Sequence, residues 1–172
     1  VAGGQASRLG FTGPKGAFPL GPVSGTSLFQ MMAGQVFRLR QLCGAALPWI
    51  IQTGPANHLE TMAFFADRSY FGLGKETVHF ACQGTLPALS EGGQFLLETP
   101  GSLFRNPNGH GGFYRAIRDS GICPRFREMG VDLLYYCQVD NPLVRMADHI
   151  FLGHHLLTEA RMSVKVVAKT DP

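Results

Sequence analysis

Short apolar runs closed by glycine, proline or asparagine alternate with stretches of helical spacing along the whole chain. That alternation narrows the fold to the α/β class with a mostly parallel sheet. Residues 27–42 carry Leu28, Met31 or Met32, Val36, Leu39 and Leu42 at helical intervals, and Ser27 with Gln30 matches a capping box. Residues 48–53 read as a strand ended by Gly54 and Pro55. Residues 57–66 read as a helix with Leu59, Met62, Ala63 and Ala66 facing inward. A second strand is expected over 78–82, a small hairpin at Gly92-Gly93 and a helix over 113–120. Residues 133–139 read as the clearest buried strand, closed by Asp140-Asn141-Pro142, and a helix over 147–160 and a strand over 163–167 are expected to follow. No repeat or low-complexity linker interrupts the pattern, so residues 1–172 read as one domain. The chain looks cut at both ends: it opens on the last residues of a strand without a Met and stops just after another strand.

Composition excludes several function classes. Charged residues make up only 16% of the 172, against 45% hydrophobic, and 22 glycines and 11 prolines suggest tight connections around a buried sheet. Net charge is +3 with no lysine- or arginine-rich run, which argues against a nucleic-acid or membrane-surface partner. No apolar run reaches the length of a membrane span, and no signal peptide is visible. Cys43, Cys82, Cys123 and Cys137 contain no CxxC pair, and their spacing does not suit zinc. Cys82 and Cys137 sit in apolar runs and read as buried free thiols, which fits a reducing cytoplasm.

In open α/β sheets ligands bind beyond the carboxyl ends of the strands, and the unusual loops fall there, after Ala2, Cys82 and Val139. The first, Gly3-Gly4-Gln5-Ala6-Ser7-Arg8-Leu9-Gly10, continues through Pro14-Lys15-Gly16. Its glycines let backbone N–H groups approach an anion, and Arg8 and Lys15 supply two cations for a polyphosphate. A glycine-rich turn with a solvated Arg and Lys remains the alternative. The loop is neither a Walker motif nor a G-x-G-x-x-G fingerprint, which disfavours an NAD-type dehydrogenase. Asp140, at the end of a buried strand, suits Mg²⁺ held against a phosphate, or else an Asx turn before Pro142. Gly109-His110-Gly111-Gly112 opens a helix whose N–H groups can face an anion. His58, His79, His149, His154 and His155 show no ligand pattern.

Taken together and in this order, the motifs resemble the eukaryotic-type UDP-N-acetylglucosamine pyrophosphorylases and related UDP-sugar pyrophosphorylases. Residues 1–10 and 14–16 match that family's Leu-Ala-Gly-Gly-Gln-Gly-Thr-Arg-Leu-Gly and Pro-Lys-Gly. Gln83 to Ala88 match Gln-Gly-x-Leu-Pro-Ala, Gly109 to Gly112 match Gly-Asn-Gly-Gly, and Val139 to Asn141 match Val-Asp-Asn. The resemblance covers essentially the whole chain.

The resemblance implies a Rossmann-like nucleotide-diphospho-sugar transferase fold and a uridylyltransferase. Such an enzyme joins UTP to a sugar 1-phosphate (of N-acetylglucosamine or glucose) with release of pyrophosphate. Carried over motif by motif, Gly3, Gly4, Gln83 and Gly109 hold the uracil. Arg8 and Lys15 sit on the triphosphate and act in catalysis, Asp140 holds Mg²⁺, and His110 and Asn141 lie near the sugar. Three departures stand out. Ala6 replaces a loop glycine, Ser7 replaces Thr but keeps its hydroxyl, and His110 replaces Asn beside the sugar and loosens any carry-over of sugar specificity. A non-catalytic UTP or UDP-sugar binding module is the rival reading, and this chain alone is expected to lack part of the sugar site.

Overall fold

In the computed structural model, residues 1–4 and 10–169 are described, so Arg8 and the middle of the first loop lie outside the described residues. Helix α1 (Leu28–Cys43) starts where Ser27 accepts a hydrogen bond from Gln30 N and stops at Gly44, whose φ of 61° only glycine adopts freely. Its buried face of Leu28, Phe29, Met32, Ala33 and Val36 covers strand β1 (Trp49–Thr53). Strand β2 (Val78–Cys82) pairs parallel with β1, Trp49 opposite Val78 and Thr53 opposite Cys82. A parallel pair needs a crossover, and helix α2 (His58–Ala66) supplies it.

The inner face of α2 differs from the expectation. Thr61 and Phe65 are buried and Phe64 half-buried, whereas Leu59 is 77% exposed and Met62, Ala63 and Ala66 face solvent. Residues 59 and 61 sit about 200° apart around a helix, so the buried stripe is nearly opposite the expected one. Asn57 sets the rotation. It is buried at the helix start, and Thr61 Oγ1 donates to its carbonyl at 2.7 Å. Phe65 then lands in an aromatic cluster, 4.9 Å from Phe29, 5.5 Å from Trp49 and 5.4 Å from Phe80 between ring centroids.

Past β2 the chain makes an antiparallel flap. Strand β3 (Thr85–Pro87) pairs with β6 (Arg105–Pro107), and β4 (Leu97–Thr99) with β5 (Ser102–Leu103). Gly93, at φ 79°, closes the expected hairpin between Leu89 and Phe95. Asn108 N donates to Gly84 O, so the flap ends where it began. Helices α3 (Gly112–Asp119) and α4 (Ile122–Glu128) follow, with Phe113, Ala116 and Ile117 packed on Ala81 of β2. The sequence reading did not anticipate α4, which carries Pro124 in its first turn. Helix α5 (His149–Leu157) is shorter than expected, because Ala147 and Glu159 both take positive φ.

The fold is thus mixed α/β, but among the described strands only β1–β2 is parallel. The strand expected over 133–139 does not form. Val1 N donates to Cys137 O and Val1 O accepts from Val139 N, the bonding of parallel neighbours, and Ala2 N donates to Gln52 O. These two bonds to Val1 do not make a ladder, and Leu133, Leu134 and Tyr136 stay 39–52% exposed. The strand expected over 163–167 is also absent, with Val166 and Val167 facing solvent. Accessible surface reaches 11694 Å², against roughly 8,300 Å² for a compact monomer of this size. Cys82 ends the edge strand β2 exposed, not buried as expected.

Phe65→Ala should lower unfolding stability by roughly 3–5 kcal/mol. Denaturant unfolding measures it, and a loss under about 1 kcal/mol would show that the cluster does not anchor β1 to its two helices.

Candidate functional site

Backbone bonding lines up the ends of four segments. Val1–Ala2 lies between Val139 and β1, and Gln83 N continues the β1–β2 pairing by donating to Thr53 O at 2.8 Å. Gly3, Gly54, Gln83 and Asp140 therefore leave at the same edge. Asn57 clamps that edge. Its Nδ2 donates to Ala2 O at 2.9 Å and Gly4 O at 3.2 Å, and its Oδ1 accepts from Gly54 N at 2.8 Å.

A hollow of about 220 Å³ opens there. Gly3, Gly4, Lys15, Gln83, Gly109, His110 and Asp140 all line it. The volume falls below the roughly 300–1,000 Å³ typical of sites that enclose a whole ligand and suits one ring system. Asn141 does not reach the hollow; its Oδ1 accepts from Leu143 N at 3.2 Å in an Asx turn, and it borders a neighbouring depression. Arg8 lies outside the described residues. A larger, mainly apolar groove of about 370 Å³ runs beside Trp49, Phe113 and Tyr135, where residues 133–137 fail to ladder onto the sheet.

Local packing fixes each wall. Gly16 follows Lys15 in a single 3₁₀ turn, and a Cβ there would come within 2.3 Å of the buried Phe29 ring. The turn thus rests directly on the core, which holds Lys15 over the edge. Lys15 Nζ lies 2.6 Å from Asp140 Oδ2, both side chains partly exposed. That hydrogen bond holds the Asp140 carboxyl below the usual carboxylate range, against the opposing effect of burial. Gln83 is buried and accepts at Oε1 from Gln52 Nε2 at 2.7 Å. Its Nε2 lies against Gly3, where a Cβ would come within 2.3 Å of it. His110 Nδ1 hydrogen-bonds the Tyr136 hydroxyl. Burial pushes the Tyr136 phenol up, so the hydroxyl beside His110 stays protonated.

Three residues of this arrangement were not singled out from sequence: Asn57, Gln52 and Tyr136. Gln52 carried a signal, as an amide directly after the apolar run 48–51 of the expected strand. Asn57 stands in a Gly-Pro-Ala-Asn turn that resembles any helix start, so nothing local announced its reach to Ala2 and Gly4.

A family model described as UTP–glucose-1-phosphate uridylyltransferase matches residues 1–172. The chain belongs to this family. It is 39% identical over 183 residues to UDP-N-acetylglucosamine diphosphorylase 2 of Arabidopsis thaliana, across all of this chain and 36% of that protein. It is 38% identical over 175 residues to UDP-N-acetylglucosamine pyrophosphorylase of Saccharomyces cerevisiae, across 99% of this chain and 37% of that one. The crystal structure of the Trypanosoma brucei UDP-N-acetylglucosamine pyrophosphorylase in complex with inhibitor superposes with a TM-score of 0.83. Its identity is 30%, and the match covers 93% of this chain and 34% of that one. This uridylyltransferase-family chain therefore spans a little over a third of the length of the curated relatives it matches. Among the described residues no helix is long and apolar enough to cross a membrane.

The depressed Asp140 carboxyl fixes a sign. Its bond to Lys15 contributes fully above the ordinary carboxylate value near 3.9, and the contribution fades as pH falls through the lowered folded value. Lys15→Met should therefore raise the Asp140 titration midpoint, followed by carboxyl-carbon NMR. An unchanged midpoint would show that the ammonium does not set it.

Proposed function

We propose that the protein acts as a uridylyltransferase, joining UTP to a sugar 1-phosphate to give a UDP-sugar and pyrophosphate. N-acetylglucosamine 1-phosphate and glucose 1-phosphate are the candidate acceptors. The observation that carries the reading is the convergence of Gly3, Gly4, Lys15, Gln83, Gly109 and Asp140, from four separate loops, on one hollow. Family membership and the printed names of the relatives support the same chemistry.

In this reading the backbone at Gly3, Gly4 and Gly109, with the Gln83 amide, holds the uracil ring. Lys15, together with Arg8, neutralises the triphosphate. A phosphate oxygen of the sugar 1-phosphate attacks the α-phosphorus in line. The new P–O bond forms as the bond to the β-phosphate oxygen breaks, and pyrophosphate leaves with that electron pair. A phosphate oxygen is already a competent nucleophile, so no side-chain nucleophile is needed and the protein's work is positioning and charge neutralisation.

Mg²⁺ fits the donors present. Asp140 offers a hard carboxylate oxygen at the hollow's edge, with 41% of its side chain exposed, and Mg²⁺ is commonly bound by one or two carboxylates plus substrate phosphates. Bound there, it would supply further neutralisation of phosphate charge. Before nucleotide arrives, the Lys15–Asp140 bridge keeps ammonium and carboxylate together. A polyphosphate competes for that ammonium. His110 faces the sugar in this reading, and Asn141, at the neighbouring depression, stands near its far side. All four cysteines are free, which supports a cytoplasmic, reducing setting.

Pyrophosphate release, measured with Mg²⁺, UTP and a panel of sugar 1-phosphates, tests the proposal. Release that depends on one sugar supports it. UTP binding without release for any sugar would favour a binding module. Lys15→Ala should lower the rate by on the order of 10²–10³, and a near-normal rate would remove Lys15 from the mechanism.

A further inference from the structure

Gln52 is fully buried near the end of β1, and among the described residues only one end of its amide finds a partner. Nε2 donates to Gln83 Oε1, while Oε1 meets no donor among the described residues. A buried polar atom without a partner is costly, so the bond that Gln52 does make is strongly defended. The cost also fixes its polarity. Were Gln52 reversed, its amino group would be the buried, unpaired end, and orphaned N–H groups are rarer than under-used carbonyls. Were Gln83 alone reversed, two amino groups would face each other.

With Oε1 held by Gln52, the Gln83 atom set against Gly3 is the donor Nε2. Gly3 and Gln83 both border the hollow, and Gly3 has no side chain to cover that donor. Gln83 itself is only 5% exposed, which leaves it little freedom to turn over independently. The hydrogen-bonding character of this wall is therefore decided one residue behind it.

We infer that Gln52 is a positioning residue for base selectivity: by fixing the orientation of the Gln83 amide, it makes this wall a hydrogen-bond donor. A donor there selects the carbonyl at position 4 of uracil over the amino group at position 4 of cytosine. The inference rests on the nucleotide reading above and adds to it the residue that sets the choice of base.

Titration calorimetry with UTP and with CTP, each with Mg²⁺, tests this on the unmodified chain and on Gln52→Met. Methionine keeps the length of the side chain and frees Gln83 to turn either way. The UTP-over-CTP preference should fall about tenfold in a variant whose circular dichroism is unchanged. An unchanged preference, or equal weakening of both nucleotides, would overturn the inference. If the unmodified chain binds both nucleotides equally, the inference alone fails. If it binds neither, the nucleotide reading fails and takes the inference with it. Side-chain amide exchange by NMR supplies a ligand-free check on the unmodified chain. The Gln52 amino protons should exchange more slowly than those of Gln83, and the reverse order would overturn the proposed orientation even if the methionine variant does not fold.

Discussion

The backbone bonds of Val1 and Ala2 carry the candidate site. Val1 bonds to Cys137 and Val139 on one side, and Ala2 bonds to Gln52 of β1 on the other. With β1 parallel to β2, these bonds turn the ends of four segments toward one edge. Glycine-rich or polar loops leave each of those ends, so residues as far apart as Lys15 and Asp140 meet within 2.6 Å. Asn57 then ties the first loop to the turn after β1 through three hydrogen bonds of one buried amide. Without that alignment the glycines and cations would be scattered turns.

The parts legible in the sequence are those whose structure is decided locally. Helix α1 has its cap, its stripe and its terminal glycine within one short stretch, and β1 and β2 are short apolar runs bounded by turn residues. The face of α2 was not legible, because its rotation is set by Asn57 and by rings from distant elements, not by its own apolar positions. The strand pattern over 133–139 is a true apolar run, yet a strand exists only where a partner's backbone lies alongside it. Among the described residues, the backbone bonds of this run to another segment reach Val1 alone. Cysteine burial failed for a related reason: an apolar neighbourhood in sequence does not say whether a residue ends an edge strand, as Cys82 does.

The candidate site was more legible than the fold around it. Glycines beside an anion, cations after a proline turn and a carboxylate at a strand end are dictated by chemistry that recurs in fixed residue types. The hollow is lined by Gly3, Gly4, Lys15, Gln83, Gly109, His110 and Asp140, each of a type that its own stretch of sequence displays. What sequence did not display was the layer behind them: Gln52 behind Gln83, Tyr136 beside His110 and Phe29 beneath Gly16. Such supports depend on through-space packing, and they set how each exposed group is aimed.

Amide chemical-shift mapping during titration with UTP and Mg²⁺ tests the central claim most directly, that this edge is the nucleotide site. The account predicts shifts concentrated at Gly3, Gly4, Gln83, Gly109 and Asp140, with the apolar groove beside Trp49 and Phe126 little changed. Shifts confined to that groove, or none at saturating nucleotide, would contradict it.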